Sequence, residues 1–94
     1  ALVITLQSVA EEKNLKPIAK IVGHTQHAHE PEWFTTAPVG AIQKLLKNLD
    51  WSVEDVDLFE INEAFAVVTM AAMKELNIPH DKVNIYGGAT ALGH

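Results

Sequence analysis

With 94 residues the chain has room for one small domain at most, and folding at that size removes only about 60–65% of the unfolded surface from water. Hydrophobic residues at 48% and charged residues at 20%, with no low-complexity tract, mark a globular sequence able to form a core. A net charge of −5 with no arginine excludes nucleic acid and an anionic membrane surface as main partners, and zero cysteines exclude disulfides and a cysteine nucleophile from this stretch.

In chain order, Ala1 to Leu6 are aliphatic or β-branched and predict a buried strand. Ser8 with Glu11 three residues on forms a capping-box pattern, which predicts a short helix from Val9 to about Asn14, ended by Pro17. Ile18 to Gly23 reads as a second strand. From His24 to Thr36 no period is visible, and three His, two Glu, Pro31, Trp33 and Phe34 suggest a long surface loop. Thr36 is placed to cap a helix with Pro38 in its first turn. Val39, Ile42, Leu45, Leu46 and Leu49 then fall on one face, opposite Gln43, Lys44, Lys47 and Asn48.

Ser52 and Asp55 are spaced to cap a single turn, after which VDLFEI, Val56 to Ile61, alternates as a strand does. The next helix, from Glu63 to about Leu76, is apolar over most of its circumference and should be covered on more than one side. Asn77 and Pro79 stop it, and Val83 to Tyr86 forms a short strand running into Gly87 and Gly88. Strand, helix and strand of this length make a right-handed βαβ unit with parallel strands. The expected class is therefore α/β, with mixed sheet strands. No apolar run reaches the ~20 residues of a membrane span, the start lacks the basic flank of a signal peptide, and a cytoplasmic location is expected. The chain opens inside an apolar run without Met and reads as a segment of a longer polypeptide.

Ligands of open α/β sheets bind beyond the carboxyl ends of parallel strands. Asn62 and the turn GGATALGH, Gly87 to His94, both fall there, so a carboxamide and an imidazole are brought to one sheet edge. Each residue also has a plain reading: Asn62 as the N-cap of the following helix, His94 as a solvated turn residue. His24, His27, His29 and Glu30 raise the idea of a metal site, with Glu30 or Glu32 as third ligand. The spacing matches no zinc pattern, so solvated loop histidines are the default and no metal is assigned. Trp51, Phe59, Met70 and Met73 read as packing residues.

NEAFA at Asn62 to Ala66, GGATALGH at Gly87 to His94, APVGAI at Ala37 to Ile42 and DVDLFEIN leading into Asn62 resemble the thiolases, most closely their acetyl-CoA acetyltransferase branch. The resemblance runs in order along almost the whole chain. It implies a thiolase-like fragment, with residues 1–34 as the last strands and loop of the N-terminal half and residues 35–94 as the first βα units of the C-terminal half. The implied chemistry is reversible Claisen condensation of acyl-CoA, or thiolysis of a 3-ketoacyl-CoA, through an acyl-cysteine. By the same resemblance His94 takes the proton from that cysteine and Asn62 holds a water in the oxyanion hole. Ala64 and Phe65 pack against the pantetheine arm and acyl group. The implied substrate is an acyl-CoA, with no cofactor beyond CoA thioesters, in a homo-oligomeric parent, dimer or tetramer. Two departures stand out: the family's cysteines lie outside this chain, and Thr90 replaces a more usual aliphatic residue. A non-catalytic acyl-CoA-binding or metal-binding module on the same βαβ frame is the alternative.

Overall fold

Two helices and one short parallel pairing hold the core of this protein, whose computed structural model describes residues 1–94. Helix α1 spans Gln7–Glu12, α2 Ala37–Leu49 and α3 Ala66–Leu76, with 3-10 turns at Pro31–Thr36, His80–Lys82 and Ala89–Leu92. Phe59, Ile61, Val68, Ala72, Ile78 and Val83 form the buried cluster, joined at its edge by Val39 and Ile42 of α2 and Met73 and Leu76 of α3. The core thus lies between α3 and the segments that flank it in sequence.

Helix α2 forms where its spacing predicts. Thr36 is its N-cap residue and Pro38 lies in the first turn, although the Thr36 hydroxyl donates back to the Trp33 carbonyl at 2.9 Å and does not cap the helix. Val39, Ile42, Leu45, Leu46 and Leu49 are all partly buried, and Gln43, Lys44, Lys47 and Asn48 are exposed. Asp50 ends the helix at φ 55°, where the Asp50 and Trp51 N–H groups take the Lys47 and Leu46 carbonyls.

Helix α1 lies two residues earlier than predicted, at Gln7–Glu12, and its N-cap position falls on Leu6. The Ser8 capping box is not made: Glu11 instead accepts from Gln7 Nε2 at 2.9 Å, an i, i+4 pair across one turn. Ser52 and Asp55 do cap as expected, with Asp55 Oδ2 accepting from Ser52 N at 2.7 Å and Ser52 Oγ at 2.8 Å. Those bonds hold the Asp55 carboxyl below its ordinary range.

The predicted strands do not assemble into a sheet. A single parallel bridge joins Phe59 to Val83, with Phe59 N–H donating to Lys82 O at 2.8 Å and Asn84 N–H to Phe59 O at 2.9 Å. Ala1 to Leu6 and Ile18 to Gly23 are extended but unpaired, and no residue from 1 to 5 or 16 to 29 shares a backbone–backbone hydrogen bond. The reason is the lack of a neighbouring strand, and Val3 and Ile18, at 98% and 104% exposure, show it. The whole chain makes 42 such bonds where roughly 65 are usual at this length. Its radius of gyration, 15.6 Å, likewise exceeds the roughly 12 Å of a compact chain.

Residues 22 to 27 are nevertheless not free. Gly23, Thr25 and His27 alternate inward, with Gly23 against Leu45 and Leu49, and the Thr25 hydroxyl donating to Ala41 O at 3.0 Å. Lys44 Nζ donates to Gln26 O at 3.3 Å. The segment has strand periodicity but rests on α2 through side chains.

Helix α3 begins at Ala66, three residues later than predicted. Val68, Thr69 and Ala72 are buried, and the Thr69 hydroxyl is satisfied by Ala66 O at 2.9 Å. Val67 and Met70, at 52% and 60% exposure, are bare. Only one face of α3 meets other elements, so Met70 lacks its expected packing, and the helix is left partly exposed, as expected where only a larger protein would cover it fully.

Asp50 holds a left-handed conformation and places a carboxylate at the negative end of α2. Asp50→Gly removes both penalties and should raise stability by about 1 kcal/mol, whereas Asp50→Val, a β-branched residue at φ > 0, should lower it. The shift of the urea unfolding midpoint checks both.

Candidate functional site

Asn84 organises the region where the two predicted site segments meet. It sits just after the bridge residue Val83, in the left-handed region at φ 48°. Its carboxamide acts as a second peptide group: Oδ1 accepts from Ile61 N at 2.8 Å and Nδ2 donates to Ile61 O at 2.9 Å. One side chain thereby continues the parallel pairing that the backbone leaves after Phe59. Nδ2 also donates to Glu63 Oε1 at 2.9 Å.

The other oxygen of Glu63, Oε2, accepts from the Thr90 N–H at 3.0 Å, in the 3-10 turn of the Gly-rich loop. The carboxylate can approach because Gly88 has no side chain, since a Cβ there would lie 2.5 Å from Oε1. These bonds, that from Asn84 first and those from Thr90 next, hold the Glu63 carboxyl below its ordinary 4.5. They also explain the late start of α3. Glu63 faces the Gly-rich loop instead of the helix, and Phe65 is extended at φ −145°.

An open cleft of about 370 Å³ lies between these segments, lined by Glu60, Asn62, Asn84, Gly87, Gly88 and Leu92 among others. Asn62 is exposed on this cleft. It does not cap α3, whose N-cap position is Phe65, so the plain reading of Asn62 fails. His94 is exposed and follows the turn Ala89–Leu92, with its N–H donating to Ala89 O at 3.0 Å; it does not line the cleft. Ala64 is partly buried against the core. Phe65 is 62% exposed with its ring 6.3 Å from that of Phe34, a tilted aromatic pair on the surface.

The histidine loop is more ordered than the sequence suggests. Pro31–Thr36 forms a 3-10 turn, and His29 Nε2 lies 2.7 Å from Trp33 O. His27 is partly buried with its ring on Gly40, where a Cβ would have to displace it, and meets the His29 ring edge-on at 5.2 Å. That placement corrects the expectation of solvated histidines for His27. No three His, Asp or Glu side chains are grouped to hold a metal ion. Trp51 is 44% exposed, Phe59 is core, and no helix is long and apolar enough to cross a membrane.

Sequence reasoning missed Glu63 and Asn84. An Asn inside the short apolar run VNIY is out of place by strand preference, and that was the available signal.

Comparison with known proteins places this geometry in context. Residues 15–94 match the family model described as thiolase, C-terminal domain. The chain is 50% identical over 94 residues to mouse cytosolic acetyl-CoA acetyltransferase, covering 100% of this chain and 24% of that protein. A thiolase from Ascaris suum, solved in complex with coenzyme A, superposes with a TM-score of 0.92 at 44% identity, over 95% of this chain and 23% of that one. The dimeric peroxisomal thiolase of Saccharomyces cerevisiae gives a TM-score of 0.85 at 37% identity, over 88% and 21%. The chain spans about a quarter of the length of the curated relatives it matches, and its fold is thiolase-like α/β.

Glu63 ties its depressed pKa to stability with a definite sign. Its contribution is complete above the unfolded value near 4.5 and is lost as pH falls through the lower folded value. Acid unfolding followed by circular dichroism should show Glu63→Gln less stable than the parent at neutral pH, with the difference vanishing toward low pH.

Proposed function

Because this chain belongs to the thiolase family, we propose that it supplies part of an acyltransferase active site for reversible Claisen condensation of acyl-CoA and thiolysis of 3-ketoacyl-CoA. The observation that carries the reading is the cleft: Asn62 and the Gly87–Leu92 loop border one opening and are tied together beside it through Glu63 and Asn84. In this reading the acyl group rides on a cysteine outside these residues. His94 accepts the thiol proton, and Asn62 holds a water aimed at the developing oxyanion. Phe65, exposed beside Phe34, offers apolar surface to the pantetheine arm, with Ala64 shaping the backbone next to it.

In the complete protein, residues 35–94 contribute the first βα units of the C-terminal half and residues 1–34 the strands before them. The parallel Phe59–Val83 bridge on either side of α3 supports a right-handed βαβ unit, which this reading places in a mixed sheet. CoA thioesters are the substrates, with no further cofactor. With a net charge of −5 and no arginine this segment offers no basic cluster to the phosphates of CoA, and in this reading cations elsewhere in the protein hold them. A homo-oligomeric parent, dimer or tetramer, is supported by the dimeric yeast relative, and a cytoplasmic location by the cytosolic mouse relative.

The test is made in the full-length protein. His94→Ala should abolish acyl transfer to the enzyme in single-turnover labelling with acetyl-CoA while the fold survives. Asn62→Ala, which removes the support of one oxyanion donor, should lower kcat by about 100–1000-fold. Rapid labelling of the His94 variant would overturn its role.

A further inference from the structure

Beside this cleft Glu63 makes contacts that neither a helix cap nor a surface charge requires. Its carboxylate joins residues 62–65 to the turn Gly87–His94 by accepting from the Thr90 N–H, while its other oxygen accepts from Asn84. Building on the acyl-transfer reading, we infer that Glu63 is a positioning residue, whose carboxylate sets the Asn62 carboxamide and the His94 imidazole relative to each other by tying their two loops together.

The chain of constraint is short at both ends. Glu63 is covalently next to Asn62, so fixing its side chain fixes the turn that presents the amide. At the other end Thr90 N–H is held by Glu63 Oε2, and the same turn is closed by Gly93 N–H to Thr90 O at 3.1 Å and His94 N–H to Ala89 O at 3.0 Å. A displaced Thr90 therefore carries His94 with it.

A carboxylate is needed here for a reason of hydrogen-bond polarity. Two donors converge on it, and it has none of its own. Asn84 cannot turn over to help a replacement, because Ile61 N–H and C=O already fix which end of its amide faces Glu63. A glutamine at 63 can satisfy Asn84 with its oxygen, but its NH₂ then opposes the Thr90 N–H. Gly88 is the steric half of the same arrangement. Its φ of −128° suits any residue, so a side chain there would act only by pushing the Glu63 carboxylate out of its place.

The experiment uses the full-length protein with Glu63→Gln, Gly88→Ala and the double variant, assayed by steady-state kinetics with acetyl-CoA and by thermal melting. Each single change should lower kcat by roughly 100-fold with KM unchanged, as expected when reacting groups are misplaced by about an ångström. The double variant should fall no further than the worse single one, because both remove one tie. Unchanged kcat in both singles, or losses that multiply in the double, overturns the proposal. If one variant unfolds the other carries the test, and unfolding of both reduces Glu63 to a structural brace and overturns the positioning role. An inactive unsubstituted protein overturns the acyl-transfer reading and this role with it, whereas an active parent with unaffected variants overturns this role alone.

Discussion

The structure depends on one side-chain amide doing the work of a strand residue. Backbone pairing between the two segments that flank α3 stops after Phe59 and Val83, and the Asn84 carboxamide takes over by satisfying both polar groups of Ile61. Without it, Ile61, a core residue, would bury its side chain beside an unpaired peptide, at a cost of about 1–3 kcal/mol for each orphaned group. The left-handed backbone at Asn84 is what aims the amide across the gap, a conformation that Asn tolerates better than most residues. Core packing, the cleft wall and the Glu63 contact all follow from that one placement.

Most of the helical architecture was readable from the sequence because it is decided locally. The α2 pattern fixes which face is inward whatever lies opposite, and Pro38 and Asp50 mark its limits by their own backbone preferences. The start of α3 was not readable for the opposite reason. Glu63 is a good first-turn helix residue in isolation, and only a partner 21 positions later in the chain, Asn84, draws it away. The strands are formed only in part for a third reason: aliphatic character identifies segments willing to pair, but pairing requires a neighbour, and residues 1–5 and 16–29 have none here.

The candidate site divides along the same line. Asn62 and the Gly-rich turn carry recognisable local patterns, and the structure borders one cleft with both. Glu63 and Asn84 are ordinary polar residues in the sequence and acquire meaning only when the fold brings them within 2.9 Å. His27 shows the converse. Read as a solvated loop residue, it is held in a contact that exists because position 40 has no side chain.

The extended segment resting on α2 separates two properties that usually go together. Between residues 22 and 27 the inward side chains are held by the helix, yet no main-chain N–H is engaged by another peptide group. Such a stretch is ordered in its packing and open in its solvent exchange. Its amide hydrogens should be replaced by deuterium almost as fast as those of a random peptide, while the neighbouring amides of α2 stay protected.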